Sequence, residues 1–283
     1  MIVRLQAGPD RAEIDPLAGG RLTSLVASGR ERLIDRPQAG SSLSAISWGS
    51  FLMAPWVGRV RDVRVGWQGR SIELARNMDG HALHGVGFDV PWQLDRSSET
   101  TVEMHLAIDP GRWPFAGSVS QRVSLEPGVL RLEASISASV AGPAALGWHP
   151  WFRREPGEDV AVTVTADERL ELDAQRIPSG RRVPVAGEFD LRTGPILGDR
   201  RLDDVYVDVR APAIVRWPDL ELRLEFEAPV VSVVVFSPPG SVCVEPATAW
   251  PDALRLLAAG ATGTGQAVLP AGGTLAAATT WRW

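Results

Sequence analysis

The chain has 283 residues, of which 45% are hydrophobic and 22% are charged, as is usual for soluble globular proteins. This length is enough to bury a substantial core, as one large β domain or as two ordinary domains. The net charge of −5 provides no electrostatic basis for binding nucleic acid or an anionic membrane, and the absence of lysine excludes Schiff-base and P-loop chemistry.

Alternation of apolar and polar residues predicts β-strands along most of the chain. The predicted strands are Ile2 to Ala7, Ala12 to Asp15, Arg21 to Ala27, Val102 to Leu106, Gly117 to Leu125, Val129 to Val140, Val160 to Thr165, Ala213 to Trp217, Leu220 to Glu227, Val230 to Phe236 and a last strand ending at Trp281 to Trp283. The valine-rich run Val230 to Phe236 is typical of a strand buried on both faces. Short helical turns are expected only at Leu43 to Trp56 and Asp252 to Ala259.

Turn signals rich in Gly and Pro separate these strands, and no linker or regular repeat divides the chain. The pattern therefore predicts one all-β domain over residues 1–283, built as a large antiparallel sandwich. Met1 to Asp10 lacks a long apolar run, so neither a signal peptide nor a membrane span is predicted. Cys243 is the only cysteine, which excludes an intrachain disulfide and fits a reducing compartment. We expect a cytoplasmic enzyme or binding protein.

The segment Gly147 to Phe152 is the strongest candidate for a functional site. His149 lies between two tryptophans, and Pro150 biases it to an extended backbone at a strand end or loop. An imidazole that titrates near neutral pH, beside flat aromatic faces, suits a sugar, which offers both hydroxyls and C–H surfaces. The alternative is a histidine buried in the core with its hydrogen bonds satisfied.

Two further segments carry candidate binding residues. Arg59 follows Gly58 within an apolar stretch and could point into a cleft, although the local sequence favours a surface arginine. His81 and His84 have a spacing that invites a metal site with His149 or Glu245 as the third ligand, but this is a weak signal in a loop. We expect His84 to line a pocket and His81 to lie at the surface or behind the site.

Carboxylates complete the set of candidates. Asp203 and Asp204 are adjacent at a strand entry, so one can face a pocket while the other is solvated, or the pair merely begins the strand. Glu245 lies at the end of a valine-rich strand, where a buried carboxylate is costly unless it has partners or a task. By alternation Cys243 shares its face, and we expect this thiol to be a small buried side chain beneath the site.

Taken in order, these segments resemble the aldose 1-epimerase (mutarotase) family from about Ile2 to Trp283. The resemblance is carried by Pro55-x-x-x-Arg59, Leu83-His84-Gly85 with Trp92, Trp113-Pro114-Phe115, Gly147-x-His149-Pro150-Trp151-Phe152, Leu202-Asp203, and Glu245-Pro246-x-Thr248 with Asp252. Gly58 departs from the family, in which asparagine more typically flanks the site arginine, as does Trp148 before the histidine.

The resemblance implies a β supersandwich of the galactose mutarotase-like type with a sugar cleft. It implies that His149 is the general acid and Glu245 the general base, while Arg59, His84 and Asp203 bind and orient the sugar. Trp151, Trp56, Trp92 and Trp148 are candidates to stack on the ring.

Interconverting the anomers removes the proton of the C1 hydroxyl and protonates the ring oxygen. A carboxylate and an imidazolium on opposite sides of the ring would suffice, without a cofactor or metal. The partner is then a small aldose, free or phosphorylated, and neither nucleic acid nor a membrane; the sequence indicates no oligomeric state.

Two alternatives stay open at this point. A glycoside hydrolase would use Asp203 and Glu245 as its carboxylate pair, but it would leave His149 without an obvious task. A sugar-binding protein on the same scaffold would bind without turnover.

Overall fold

A computed structural model of the chain describes residues 2–36, 46–78, 80–155 and 157–283. Within these ranges the first thirteen strands are β1 (Val3–Ala7), β2 (Asp10–Asp15), β3 (Arg21–Ala27), β4 (Arg30–Glu31), β5 (Ser50–Met53), β6 (Arg59–Val60), β7 (Arg64–Trp67), β8 (Arg70–Glu73), β9 (Ala82–Leu83), β10 (Gln93–Ser97), β11 (Thr101–Ala107), β12 (Gly117–Glu126) and β13 (Val129–Ala138).

The remaining described strands are β14 (Gly142–Ala144), β15 (Gly147–Pro150), β16 (Phe152–Arg153), β17 (Ala161–Thr165), β18 (Glu168–Leu172), β19 (Pro178–Pro184), β20 (Asp203–Val207), β21 (Arg210–Arg216), β22 (Glu221–Phe226), β23 (Ser232–Phe236), β24 (Ser241–Ala247), β25 (Ala267–Leu269) and β26 (Thr274–Arg282). Helix α1 (Ala253–Ala258) and 3-10 turns at Pro16–Ala18, Arg61–Val63 and Gly187–Phe189 complete the regular structure of this part of the chain. No helix in these ranges is long and apolar enough to cross a bilayer.

Two large antiparallel sheets dominate the described fold, and three two-stranded sheets, β6 with β9, β7 with β8 and β14 with β25, accompany them. The larger has twelve strands with the main order β1-β2-β3-β5-β15-β24-β23-β20-β18-β19, and β4 and β16 pair at its side. The smaller has eight strands in the order β10-β11-β12-β13-β26-β22-β21-β17. Apolar residues from both sheets join in one buried core, as when Val3 and Leu5 of β1 meet Val119 and Val123 of β12. The prediction of an all-β, large antiparallel supersandwich is confirmed.

The alternation of side chains along β24 explains why the candidate site residues lie on the face of the larger sheet that points away from the smaller sheet. Val242 and Val244 point into the core between the two sheets. Cys243 and Glu245 therefore point to the opposite face. There Cys243 joins a second buried apolar cluster, outside the main core.

The neighbouring strands β15 and β5 follow the same rule. Trp148 and Leu52 belong to the core between the sheets, whereas Phe51 belongs to the second cluster. Because His149 is paired with Phe51 across the two strands, it lies on the face that also carries Glu245. The candidate site thus lies on the outer face of strands whose inner face is packed in the sandwich core.

The predicted strands are all present, with bounds that differ by a few residues. The helical turn at Asp252 to Ala259 is confirmed as α1, but the one at Leu43 to Trp56 is wrong, because Ser50–Met53 is strand β5; Leu43 to Ala45 lie outside the described residues. The strand at Val230 to Phe236 is fully buried at Val233 and Val235, whereas Val234 and Phe236 on its other face are half-buried. That half-buried face lines a cavity.

Candidate active site

A cavity of about 240 Å³ lies on the outer face of the larger sheet. Its polar lining in the described chain consists of Ser47, Arg59, His84, His149, Arg176, Asp203 and Glu245. Its walls include apolar side chains such as Val234 and Phe236 of β23 and the ring of Trp151. The volume is slightly below the ~300–1,000 Å³ of typical small-molecule sites, so it suits one small polar molecule rather than a polymer.

His149 and Glu245 meet because of the register between β15 and β24. These strands are antiparallel, with Gly147 opposite Ala247, so that His149, two residues after Gly147, lies opposite Glu245, two residues before Ala247. The Nε2 atom of His149 lies 3.3 Å from Oε1 of Glu245. Both side chains are buried. The prediction of groups on opposite sides of a sugar ring is therefore wrong: the imidazole and the carboxyl are in direct contact.

Burial decides where the proton of this pair lies. Removal from water raises the pKa of Glu245 well above its usual range, and the charge of Asp203 adds to this, while Arg59 opposes it. Burial, followed by the charge of Arg21, lowers the pKa of His149 to about 3. At neutral pH the pair therefore holds one proton, on the carboxyl, which can donate it to Nε2.

His84 forms the next wall of the cavity. Its backbone is left-handed, with φ of 62°, and its N–H donates to the carbonyl of Gly58 at 3.0 Å. Its ring meets the ring of His149 edge-on, with centroids 4.8 Å apart. Burial, with smaller effects from His149 and Arg59, holds the pKa of His84 well below its usual value. The neutral ring can therefore both donate and accept a hydrogen bond.

Gly85 is required for this placement of His84. Its φ is +82°, and a Cβ atom there would lie 1.9 Å from the carbonyl oxygen of Ala54. This close approach forms the bridge between Ala54 and Gly85, which holds His84 against the sheet.

Arg59 and Asp203 form an ion pair at the cavity edge. Nη1 of Arg59 lies 3.8 Å from Oδ2 of Asp203, and each side chain keeps about a quarter of its surface exposed. Arg59 is thus a cavity residue and not the surface arginine that its local sequence favoured. Burial raises the pKa of Asp203, while the charges of Arg59 and Arg176 oppose that rise.

Asp204 points away from Asp203, as strand alternation requires, but the prediction that it is solvated is wrong. It is buried, and its Oδ1 accepts from Nη1 of Arg169 on the neighbouring strand β18 at 3.1 Å. Burial raises the pKa of Asp204, which the Arg169 charge opposes. This pair stabilises the sheet behind the cavity.

Among the candidate tryptophans, Trp151 alone lines the cavity in the described chain. Its ring stacks on His149 with centroids 5.3 Å apart and planes 13° apart. Trp56 packs on Trp113 at 5.1 Å, and Trp92 and Trp148 are buried in the sandwich core. Stacking roles for those three residues are therefore wrong.

A metal site containing His81 and His84, which the sequence indicated only weakly, is not among the clusters of potential ligands in the described chain. His81 is buried and does not line the cavity, and its Nδ1 accepts from the backbone N–H of Asp62 at 3.2 Å, so of its two expected positions the one at the surface is wrong. In the described chain, the side chains whose ligand atoms could surround a metal are His149, Cys243 and Glu245, within 4.8 Å of one another. Cys243 is fully buried beneath the pair, as predicted.

Sequence patterns missed several residues of the site. Arg176 lies in the turn between β18 and β19 with a left-handed backbone, and no local motif marks it. Val234 and Phe236 follow from alternation once the face of β23 is known. Phe51 is paired with His149, a relation that only strand register reveals.

The family model for aldose 1-epimerase matches residues 2–281. The uncharacterised protein YphB of Escherichia coli (strain K12) is 32% identical over 49% of this chain, and human galactose mutarotase is 31% identical over 50%. These matches cover only 45% and 44% of the two relatives.

The crystal structure of a galactose mutarotase-like protein from Clostridium acetobutylicum superimposes with a TM-score of 0.86 at 15% identity, covering 99% of this chain and 94% of that one. At this identity the likeness shows a shared fold.

Proposed function

The chain belongs to the aldose 1-epimerase family, and on that premise we propose that it interconverts the α and β anomers of an aldose. The observation that carries this proposal is the 3.3 Å contact between two buried groups, His149 and Glu245, that both line one cavity. A single proton shared by this pair matches a reaction that takes one proton from the sugar and returns one to it.

Ring opening requires two proton transfers at atoms bonded to the same carbon. The base takes the proton of the C1 hydroxyl, the C1–O bond to the ring oxygen breaks as the C1 carbonyl forms, and the acid protonates the ring oxygen. Because both oxygens are attached to C1, a base and an acid in contact with each other reach them together.

In this proposal the proton of the pair first passes from the Glu245 carboxyl to Nε2 of His149, so that for ring opening the Glu245 carboxylate is the base and the His149 imidazolium the acid. Rotation about the C1–C2 bond exposes the other face of the carbonyl, and closure reverses both transfers. The pair starts and ends with one proton, so neither a cofactor nor a net proton exchange with water is needed. Positioned acid and base groups each contribute roughly 10²- to 10⁴-fold.

The remaining cavity residues would hold the sugar in register with the pair. Arg59 and Asp203 offer a donor and an acceptor for neighbouring hydroxyls, and the neutral ring of His84 offers both. Trp151 presents a flat face beside His149, on which the C–H surface of a pyranose packs. Such orientation converts binding energy into rate.

Polarimetry of a freshly dissolved pure anomer tests the proposal. The wild-type protein should accelerate the approach to equilibrium, and Glu245→Gln and His149→Asn should each reduce the acceleration at least ~100-fold. Matched controls are Glu171→Gln and His105→Asn, which alter side chains that form surface ion pairs and do not line the cavity.

Unchanged rates in Glu245→Gln would refute the assignment of the base. Sugar binding in calorimetry by a wild-type protein that leaves the rate unchanged would select a binding protein instead. Release of reducing sugar from an aryl glycoside would select a hydrolase.

A further inference from the structure

Arg21 is a buried arginine that the proposed reaction leaves without a role. It lies on β3 and is only 1% exposed, although arginine is rarely buried so deeply without a specific task. Its guanidinium donates to the carbonyl of Trp48 at 2.6 Å and to that of Phe88 at 3.2 Å. It does not line the cavity.

Arg21 begins a column of stacked groups that ends at the cavity. Its Cζ lies 4.7 Å from the centre of the Phe51 ring, and strand β5, which carries Phe51, lies between β3 and β15, the strand that carries His149. The rings of Phe51 and His149 stack with centroids 4.8 Å apart and planes 23° apart, and Trp151 covers the far side of the imidazole. We call Arg21, Phe51, His149 and Trp151 the Arg21 column.

From this geometry we propose that Arg21 is a positioning residue for the anomer exchange, acting on His149 through the ring of Phe51. The expected effect of Arg21 on turnover rests on the proposed function, whereas its expected effect on the His149 imidazole does not. Cation–π attraction holds Phe51 in place, and Phe51 in turn fixes the plane of the imidazole and so the direction of Nε2 toward Glu245.

The charge of Arg21 also acts on the proton of the pair. Burial lowers the pKa of Arg21 to about 9, so it stays charged at neutral pH, and this charge disfavours a second positive charge on His149. In the described chain, the other titratable or charged groups that line the cavity with the imidazole or lie beneath it are Glu245 and Cys243 of β24, Arg59 of β6, His84 after β9, Arg176 between β18 and β19, and Asp203 of β20.

Loss of the Arg21 charge should raise the pKa of His149 by about one unit, as expected for a charge two stacked rings away in a partly polar interior. The proton of the pair would then reside on His149 for a larger fraction of the time. Because ring opening and ring closure use the pair in opposite senses, a changed balance should slow turnover without weakening sugar binding.

NMR of the imidazole resonances gives a readout that does not depend on activity, and the chain has only four histidines. Arg21→Gln keeps a donor for the Trp48 carbonyl but removes the charge, and Arg21→Met serves if the Gln variant does not fold. Arg21→Lys keeps the charge. We expect the His149 signal of a neutral variant to begin titrating at about pH 4.5, where the wild-type and Arg21→Lys signals stay those of a neutral ring.

Arg32→Gln is the matched control, because Arg32 is equally buried and lies over the ring of Trp217 at 5.2 Å, remote from the cavity. In the anomer-exchange assay the neutral Arg21 variants should lose about 3- to 10-fold in kcat, with KM changed less than about twofold, and the control should lose neither.

A His149 titration unchanged in a folded neutral Arg21 variant would overturn the proposal, as would the same change in Arg32→Gln. A protein without anomer exchange whose His149 titration still shifts would overturn the proposed function and leave the electrostatic role of Arg21 intact.

Discussion

Replacing Glu245 by Gln should abolish activity and at the same time make the protein more stable at alkaline pH. Glutamine has the same shape, and its amide N–H can donate to Nε2 of His149 as the protonated carboxyl does. The difference is that glutamine never has to lose a proton. Because burial raises the pKa of Glu245 in the folded state, the wild-type protein loses folding stability as the pH rises, and the variant does not have this loss.

The direction of the change in stability follows from the linkage between protonation of Glu245 and folding. Below the unfolded-state pKa of glutamate, near ~4.3, the side chain is protonated in both states, and the raised pKa costs nothing. As the pH rises, the unfolded chain ionises while the folded protein retains its proton, so the wild-type stability falls until the pH passes the folded-state pKa. The histidine contribution is common to both proteins and cancels in their difference.

The size of the stability difference between the two proteins scales with the shift in the pKa of Glu245. Each unit by which the pKa of Glu245 is raised is worth about 1.4 kcal/mol. With an unfolding entropy of about 2.1 cal/mol/K per residue, this corresponds to about 2 °C in Tm for a chain of 283 residues.

Thermal unfolding of both proteins from pH 4 to pH 9 measures this difference. The Tm values should coincide at pH 4, and Glu245→Gln should melt progressively higher above pH 5. Glu171→Gln is a control of opposite sign, because its hydrogen bond with Arg181 lowers the pKa of the exposed Glu171. A Glu245→Gln variant that melts lower than the wild type, by a margin that grows with pH, would show that the resting pair is a carboxylate with an imidazolium, and would refute the placement of the resting proton on Glu245.

Three further changes probe binding and the frame of the site. Asp203→Asn should raise KM about tenfold with a smaller effect on kcat, since it weakens a charge-assisted hydrogen bond to a sugar hydroxyl, and steady-state kinetics measures both. Trp151→Leu should weaken sugar binding about 3- to 10-fold in calorimetry through lost stacking, and an unchanged affinity would remove this residue from the sugar site. Gly85→Ala should lose about 3 kcal/mol in urea unfolding because its Cβ would overlap the Ala54 carbonyl, whereas Gly80→Ala, also at positive φ but with only an ordinary 3.7 Å contact to Nη1 of Arg76, should lose only about 1 kcal/mol.

The sequence could predict the strands and the faces of their side chains, because both depend on local alternation. Alternation correctly assigned Cys243 and Glu245 to one face and Val242 and Val244 to the other. The resemblance to the family, carried by ordered motifs, directed attention to the residues that the structure brings into one cavity. Their roles as acid, base and sugar ligands stay predictions.

What the sequence could not provide depends on pairing between distant strands. The direct contact of His149 with Glu245 follows from the register of β15 against β24, which no local pattern encodes. The same holds for Asp204, whose partner Arg169 lies on another strand, and for Arg21, whose burial depends on the segments that cover β3. The helical turn expected near Ser50 was overridden by tertiary pairing of β5 with β15.

The central claim is that a buried imidazole and carboxyl exchange one proton with the C1 hydroxyl and the ring oxygen of an aldose. Two-dimensional exchange NMR on equilibrated free and phosphorylated aldoses measures the rate of α–β exchange directly. For at least one sugar the exchange rate should rise in proportion to the concentration of wild-type protein and return to the buffer rate with Glu245→Gln. Sugars that bind to the protein in saturation-transfer spectra, yet exchange at the buffer rate throughout the panel, would contradict it.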